Sequence, residues 1–262
     1  MTAARKCPSC GSEPSSSLGE VKKTMDHSFS NEPFSIVQCA PCDLLYLGQH
    51  LSKQDFVHMY EDSVQFAGSY REEETIRGAK EYYGGCYEQL LGDIGIEANQ
   101  AKVLEVGAGR AWMCMVAADV GKALTVAQDV SPECSAECAW VDTYVVGEIT
   151  DPAISARAPY DIISLTHVIE HVPYPVEFMS TLSRMLQPRG RMFITAPHRP
   201  QNWSKDAPIS VWESWSYNHV PGHLQYFSAR AMEIAARAAG LQLLRWSLHE
   251  DGQAFEAILS HA

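Results

Sequence analysis

The segment AKVLEVGAGRAW, from Ala101 to Trp112, carries the clearest fold signal in this chain of 262 residues. Its apolar run VLEV is typical of a buried parallel strand; it leads directly into Gly107 and Gly109, and an amphipathic stretch follows. Strand, glycine turn and helix in this order let a backbone approach a nucleotide-like ligand closely. The segment therefore predicts an α/β domain with a ligand site at the end of its first strand.

Side chains around the glycine turn argue against a dinucleotide as that ligand. The bulky Trp112 stands where the G-x-G-x-x-G pattern has its third glycine. Glu105 places an anion two positions before Gly107, which disfavours a pyrophosphate and suits a cationic ligand. Asp129 ends the second strand, ALTVAQD, where an acid can accept hydrogen bonds from ribose hydroxyls; the less favoured alternative is that it caps a helix that begins near Ser131. The pattern favours a ligand with a ribose and without a pyrophosphate.

Three stretches, VLEVGAGRA, AQDVS and YDIISLTHVIEHVPYPVEFMSTLSRMLQPRGRMFITAPH, resemble class I S-adenosylmethionine-dependent methyltransferases. The resemblance covers roughly residues 99–262, and its motifs are specific for the family but not for a substrate. It implies an α/β, Rossmann-like sheet of seven strands, the last of them antiparallel, and S-adenosylmethionine as the cofactor. Ala111 replaces the last glycine of the fuller E-x-G-x-G-x-G pattern, and we expect so small a residue to leave cofactor binding intact.

The resemblance also implies contacts between particular residues and the cofactor. It places Glu105 near the methionine moiety, Gly107 and Gly109 beneath it, Asp129 on the ribose and Glu148 beside the adenine. Glu148, in VVGEIT, could equally be an exposed loop carboxylate. Aromatic faces favour a sulfonium cation, and Trp112 or Tyr70 could supply one.

The stretch THVIEH, from Thr166 to His171, fits the H-x-x-E-H pattern by which inverzincin peptidases bind zinc. It lies between the apolar strand YDIISL and Pro173, and a proline disfavours helix at the residue before it. A zinc peptidase needs these residues on a firm helix together with a distant third ligand. We therefore interpret the stretch as the carboxyl end of a buried strand, where open α/β sheets bind ligands.

Histidines are the candidates for a general base, because an unperturbed pKa near 6.5 suits proton removal at cellular pH. The candidates, in order, are His171, His167 and His223, and Glu170 could orient one of them. A structural role for each histidine alone stays an open alternative.

Four cysteines form two C-x-x-C pairs, in CPSCG and CAPCD. The four residues are Cys7, Cys10, Cys39 and Cys42. Two such pairs supply four thiolates for a tetrahedral zinc ion, and a closed site of this kind serves structure or partner recognition and no chemistry. These two cysteine pairs indicate an N-terminal zinc ribbon, which resembles the one on certain bacterial sugar C-methyltransferases. The other four cysteines show no such spacing and are expected to be reduced thiols.

The chain divides into a zinc ribbon over residues 1–50, a helical linker or cap over 51–98 and a methyltransferase domain over 99–262. Helices are predicted from Gln54 to about Gly95, in two pieces divided near Gly68. A long aromatic-rich segment, from Arg199 to Ser228, interrupts the last domain. Its aromatic and histidine side chains favour a substrate pocket, and the alternative is that they cover one edge of the sheet.

The charge balance disfavours nucleic acid as a partner. Only 20 basic residues face 32 acidic ones, for a net charge of −12, whereas phosphate binding depends on clustered Lys and Arg. No apolar run approaches the roughly 20 residues of a membrane span, and the first residues lack the features of a signal peptide, so we expect a cytoplasmic protein. The sequence carries no signal of oligomeric state.

These observations lead to one functional hypothesis and two alternatives. The hypothesis is S-adenosylmethionine-dependent methyl transfer to a small-molecule acceptor, at oxygen or carbon of a secondary metabolite or sugar-like compound, with a histidine as base. One alternative is an RNA methyltransferase that grips its substrate with the zinc ribbon. The other is a protein that binds the cofactor without catalysis.

Overall fold

The computed structural model describes residues 5–14, 16–22, 33–51, 55, 72–121, 123–200, 202–204 and 206–262. The strands are β1 (Ser16–Val21), β2 (Phe34–Gln38), β3 (Leu45–Leu47), β4 (Lys102–Val106), β5 (Leu124–Asp129), β6 (Thr143–Val146), β7 (Tyr160–Thr166), β8 (Leu186–Pro197), β9 (Gln225–Tyr226), β10 (Leu241–Leu248) and β11 (Ala254–His261). The helices are α1 (Glu73–Ile94), α2 (Trp112–Gly121), α3 (Pro152–Ser155), α4 (Pro175–Ser183), α5 (Ser210–Glu213) and α6 (Ala229–Ala238). Three 3-10 turns cover Ala98–Gln100, Ser135–Glu137 and Ile169–His171.

Seven strands form the large sheet, in the order β10-β11-β8-β7-β4-β5-β6. The pairs among β8, β7, β4, β5 and β6 are parallel, and β11 is antiparallel to both of its neighbours. This confirms the predicted seven-stranded sheet whose last strand is antiparallel. The Asp-Gly turn between β10 and β11 lets the chain double back, so β11 inserts between β10 and β8.

The central strand β4 is covered on both faces, as its continuous apolar sequence predicts. Val103 packs in a cluster with residues of α1 and α2, whereas Leu104 and Val106 pack in a second cluster with residues of α4 and α6. Neighbouring positions on a strand point to opposite faces, so Glu105 lies on the same face as Val103. That face holds α2, which begins beside the glycine turn.

Helix α1 covers one face of the sheet with a stripe of buried residues. These are Tyr83, Tyr87, Leu90, Leu91 and Ile94. The helix continues through Gly84 and Gly85 and ends at Gly95, whose φ of 75° is a left-handed conformation that glycine adopts readily. The first predicted helical piece, over residues 54–68, lies outside the described residues apart from residue 55, and so does Tyr70.

The small sheet is antiparallel, in the order β1-β2-β3-β9. Its first three strands come from the ribbon, but β9 comes from the aromatic-rich segment, where Tyr226 pairs with Leu45. The ribbon sheet is therefore completed by a strand far outside residues 1–50. The domain boundaries at residues 50 and 98 stay a prediction. Among the described residues, no helix is both long and apolar enough to cross a membrane.

Candidate active site

A cavity of about 430 Å³ opens at the carboxyl ends of β4 and β7. It brings together most of the predicted site residues: Glu105, Gly107, Gly109 and Trp112 on one side, and His167, His171 and His223 on the other. Carboxyl ends of neighbouring parallel strands meet at one edge of a sheet, which explains why two distant sequence motifs converge. Tyr83, Arg110, Tyr217 and His219 also line this cavity.

The glycine turn after β4 needs glycine for two reasons. Gly107 and Gly109 have φ values of 59° and 47°, in the left-handed region. A Cβ atom at Gly107 would lie 2.5 Å from Cγ2 of Val168, so a side chain here would force Val168 to move. Ala111, which replaces the last glycine of the family pattern, also has a positive φ, 52°, and is fully buried. The turn therefore keeps its shape despite that replacement.

Glu105 is almost fully buried, at 2% exposure, and lines the cavity. Burial raises its pKa to about 7, even though hydrogen bonds from the backbone N–H groups of Cys114 and Met113 lower it. The N–H of Cys114 lies 2.9 Å from Oε2, in the first turn of α2. A carboxylate in this position favours a positive charge in the cavity.

Asp129 holds the glycine turn through backbone contacts. Its Oδ2 accepts a hydrogen bond from the N–H of Gly109 at 2.8 Å, and its Oδ1 accepts one from the N–H of Ser131 at 2.8 Å. The following segment forms only the 3-10 turn Ser135–Glu137, so Asp129 does not cap an α-helix. Asp129 lies beside the cavity rather than in its lining, and Glu148 is exposed in the loop after β6.

An arginine that the sequence analysis missed lies over two tryptophans beside the cavity. The guanidinium of Arg110 is 5.5 Å from the ring centre of Trp112 and 5.8 Å from that of Trp140. The same guanidinium pairs with Glu137. One face of Trp112 is therefore already in contact with a cation that belongs to the protein.

His167 is held at the carboxyl end of β7 in a strained conformation, with a φ of 52°. Its N–H donates to the carbonyl of Thr195 at 2.9 Å, and its ring stacks on Tyr217 with centres 6.0 Å apart. Nδ1 of His167 lies 3.3 Å from Oε1 of Glu170, whose side chain is fully buried. The strain thus places this imidazole against a buried carboxylate.

His167 and Glu170 stabilise the charged forms of each other. Burial alone would raise the pKa of Glu170, but the hydrogen bond with His167 and the nearby imidazoles outweigh it and lower this pKa to about 2. Burial alone would lower the pKa of His167, but the hydrogen bond and charge of Glu170 outweigh it and raise the pKa. Glu170 therefore stays ionised, and His167 is made more basic.

Two further imidazoles, His171 and His223, are fixed by backbone carbonyls. Nδ1 of His171 lies 2.9 Å from the carbonyl oxygen of Gly222, and Nδ1 of His223 lies 2.8 Å from that of Tyr217. Because a carbonyl only accepts, each Nδ1 donates, and Nε2 is the free nitrogen of the neutral ring. Burial, followed by repulsion from His171, lowers the pKa of His223 to about 3, so this ring stays neutral.

Much of the aromatic-rich segment forms core rather than pocket. Trp212 is fully buried, with ring centres 5.4 Å from Trp203, 5.4 Å from Trp215 and 4.8 Å from Tyr226. These rings share one cluster with buried side chains of β2 and β3. Within this segment, Tyr217, His219 and His223 line the cavity, whereas the tryptophans cover one face of the ribbon sheet. Val37 and Tyr46 of the same sheet belong instead to the core cluster that includes residues of α6.

A family model described as a methyltransferase domain matches residues 71–245, which is more than half of the chain. The chain belongs to the class I S-adenosylmethionine-dependent methyltransferases. This confirms the family that the sequence motifs indicated.

Several relatives of this methyltransferase carry the name "Ubiquinone biosynthesis O-methyltransferase", and two of them illustrate the match. The one from Xanthomonas axonopodis pv. citri (strain 306) is 28% identical over 159 residues, 56% of this chain and 65% of the relative. The one from Xylella fastidiosa (strain 9a5c) is 30% identical over 106 residues, 38% of this chain and 43% of the relative. The match thus spans less than two thirds of either relative.

Solved structures show the same fold at low identity. The 1,6-didemethyltoxoflavin-N1-methyltransferase of Burkholderia thailandensis, with bound 1,6-didemethyltoxoflavin and S-adenosylhomocysteine, has a TM-score of 0.60 at 16% identity and covers 90% of this chain and 99% of its own. Magnesium protoporphyrin IX methyltransferase of Synechocystis PCC 6803, with bound S-adenosylhomocysteine, has a TM-score of 0.57 at 15% identity and covers 80% and 100%.

The ribbon of this methyltransferase brings its four predicted cysteines together. The sulfur atoms of Cys7, Cys10, Cys39 and Cys42 all lie within 4.8 Å of one another. Sγ of Cys7 is 3.5 Å from that of Cys42, and Sγ of Cys10 is 3.4 Å from that of Cys39. Such spacing fits four thiolates around one tetrahedral ion.

The ribbon also anchors the 3-10 turn Ile169–His171, referred to below as the histidine turn, through contacts that sequence reasoning missed. Nη2 of Arg5 donates to the carbonyl of Pro173 at 2.7 Å and to Oε1 of Gln225 at 3.2 Å. Nε2 of the fully buried Gln225 donates to the carbonyls of Ile169 and Val172, both at 2.7 Å. These bonds enclose the turn that carries Glu170 and the predicted catalytic His171, so the ribbon and β9 together support it.

Proposed function

We propose that this chain methylates a hydroxyl oxygen of a small organic acceptor, with S-adenosylmethionine as the methyl donor. A single observation carries the proposal: the glycine turn and a cluster of histidines face one cavity. The relatives named as O-methyltransferases support oxygen as the acceptor atom. The net charge of −12 favours a small molecule over a nucleic acid.

The residues of the glycine turn fit the cofactor. When bound, S-adenosylmethionine supplies an activated methyl group on a sulfonium centre. Gly107 and Gly109 would lie beneath it, since no Cβ intervenes, and the carboxylate of Glu105 would balance its positive charge. Each carboxylate oxygen of Asp129 keeps a second lone pair that could accept a hydrogen bond from a ribose hydroxyl. A contact of Glu148 with the adenine is the weaker part of this assignment, because Glu148 is exposed.

His167 is the base that the geometry favours among the three predicted histidines. Its Nδ1 faces Glu170, so Nε2 is the nitrogen available to take the acceptor's proton as the oxygen–carbon bond forms and the carbon–sulfur bond breaks. Glu170 would hold the ring and stabilise the imidazolium. The contribution of the rest of the site is to align the acceptor with the methyl group. Flat rings such as Tyr217 suit an aromatic or sugar-like acceptor.

The cysteine cluster would hold a structural zinc ion. Its four sulfur atoms leave no open coordination position, so it would take no part in the chemistry. Through Arg5 and Gln225 the ribbon would instead keep the histidine turn in place.

Calorimetric titration of the zinc-loaded protein with S-adenosylmethionine tests the cofactor assignment, with NAD as the comparison ligand. Binding of S-adenosylmethionine alone is the expected result; binding of NAD alone, or of neither, overturns the proposal. A second assay follows transfer of a labelled methyl group to a panel of phenols, catechols and sugars. Cofactor binding without transfer to any of them would favour a non-catalytic binding protein.

A further inference from the structure

Two side chains that line the cavity, His171 and His223, converge with the buried Glu170 as metal ligands do. Nitrogen atoms of His171 and His223 and a carboxylate oxygen of Glu170 all lie within 4.8 Å of one another. Glu170 and His171 belong to the 3-10 turn after β7, whereas His223 comes from the loop before β9. We refer to these three residues as the Glu-His-His cluster. It is separate from the cysteine cluster of the ribbon.

Both imidazoles of the Glu-His-His cluster are already oriented as ligands. Nδ1 of His171 donates to the carbonyl of Gly222, and Nδ1 of His223 donates to that of Tyr217. Histidines that bind metals almost always donate their other ring N–H to a carbonyl or carboxylate, which fixes the ring and leaves the ligating nitrogen free. Nε2 is that nitrogen in both rings.

One carboxylate oxygen of Glu170 has a hydrogen-bond partner, and the other has none among the described residues. Oε1 lies 3.3 Å from Nδ1 of His167, while the buried Oε2 finds no hydrogen-bond partner among the described residues. The side chain is fully buried, and an ionised carboxylate without a full set of partners is costly in such a place. A cation beside Oε2 would remove that cost.

We propose that the Glu-His-His cluster binds a divalent transition-metal ion of the zinc, manganese or iron(II) class. Two imidazole nitrogens and one carboxylate oxygen suit these ions. In a tetrahedral zinc site the ligand atoms are about 3.4 Å apart, so small side-chain rotations from the present spacing would close the site. The arrangement differs from the peptidase pattern, in which both histidines bind zinc, because here Glu170 would be a ligand and His167 would not.

The ion would keep an open position toward the cavity, where the glycine turn also lies. If the proposed methyl transfer is correct, the acceptor oxygen would bind there, and the ion would lower the pKa of the acceptor hydroxyl before His167 takes the proton. This role rests on the proposed function, whereas binding of the ion does not.

Cobalt(II) is the probe for this site. The cysteine cluster is first loaded with zinc, loosely held metal is removed, and Co²⁺ is titrated while the absorption spectrum is recorded. We expect about one Co²⁺ per chain, with the visible bands of nitrogen and oxygen ligation and without the near-ultraviolet band of cobalt bound to thiolates. His223→Gln and His171→Gln should each weaken this binding at least tenfold. His249→Gln, a histidine change outside the cavity lining, should retain it.

Zinc content and thermal stability show whether each variant keeps its fold. If His223→Gln loses the zinc of the cysteine cluster, the test rests on cobalt binding by His171→Gln. The inference is overturned if the wild-type protein takes up no Co²⁺ outside the thiolates, or if His249→Gln weakens binding as much as the ligand variants. Calorimetry with S-adenosylmethionine on the same preparation separates the two proposals. Cofactor binding without a cobalt site would overturn only this inference, and a cobalt site without cofactor binding would overturn only the proposed function.

Discussion

Replacing Gly107 by alanine should destabilise the protein far more than the same change at Gly109. Both residues have positive φ, which costs alanine about 1–2 kcal/mol, partly offset by about 0.4–1 kcal/mol from the less flexible unfolded chain. At Gly109 no atom lies within 4 Å of the added Cβ, so Gly109→Ala should lower the free energy of unfolding by only about 0–1.5 kcal/mol. At Gly107 the Cβ would lie 2.5 Å from Cγ2 of Val168. Overpacking of this kind adds about 1–3 kcal/mol.

Urea denaturation of the zinc-loaded protein measures both values, and a double variant isolates the clash. Val168→Ala removes the Cγ2 atom, so combining it with Gly107→Ala should recover at least about 1 kcal/mol relative to the sum of the two single changes. Two results would show that close packing against Val168 is not what requires glycine at position 107. One is an equal loss of unfolding free energy in Gly107→Ala and Gly109→Ala, and the other is strict additivity of the losses in the double variant with Val168→Ala.

Three further changes test the base, the anchor of the histidine turn and the buried acid. His167→Gln should lower kcat by about 10²–10⁴-fold while S-adenosylmethionine affinity stays within a few-fold, as measured by turnover and calorimetry. Gln225→Ala removes two bonds to the histidine turn, so kcat should fall while the ribbon keeps its zinc. Glu105→Gln should change how the free energy of unfolding depends on pH. Because the pKa of Glu105 is raised to about 7 in the folded protein, ionisation of this carboxyl group above pH 4.5 destabilises the folded state. As the pH rises from 4.5 to 7, the free energy of unfolding of the variant should therefore increase by roughly 1–3 kcal/mol relative to that of the wild type.

Each of these changes has its own control. His249→Gln alters a histidine outside the cavity lining, and turnover that falls equally in this variant and in His167→Gln would contradict a specific role for His167. Gln242→Ala removes a glutamine from the edge strand β10, and a loss of turnover equal to that of Gln225→Ala would contradict the anchoring role. A constant stability difference between wild type and Glu105→Gln across the pH range would contradict the raised pKa.

Local patterns in the sequence predicted most of the fold. The run VLEV with Gly107 and Gly109 predicted the first strand and the turn, because both positions need a positive φ and Gly107 also lies against Val168. The Asp-Gly signal predicted the terminal hairpin, and the paired C-x-x-C spacing predicted the cysteine cluster. Each of these features is encoded within a few neighbouring residues.

The aromatic-rich segment shows where sequence reasoning failed. Aromatic residues suit a core and a pocket equally well, so composition could not separate Trp212, which is fully buried under the ribbon sheet, from Tyr217, which lines the cavity. Arg110 gave no signal either, since its contact with Trp140 depends on how the loop after β5 returns to the glycine turn.

The amino-acid sequence alone established the sheet, the glycine turn, the cysteine cluster and the presence of histidines at the end of β7. Only the tertiary structure showed that His223 lies beside Glu170 and His171, and that Arg5 and Gln225 support the turn that carries these two residues. The physical reason is the range of the contacts. Turns and strands follow from short-range sterics and hydrophobic periodicity, whereas a ligand set or a hydrogen-bond anchor joins residues far apart in the chain, and no local period records which of them will meet.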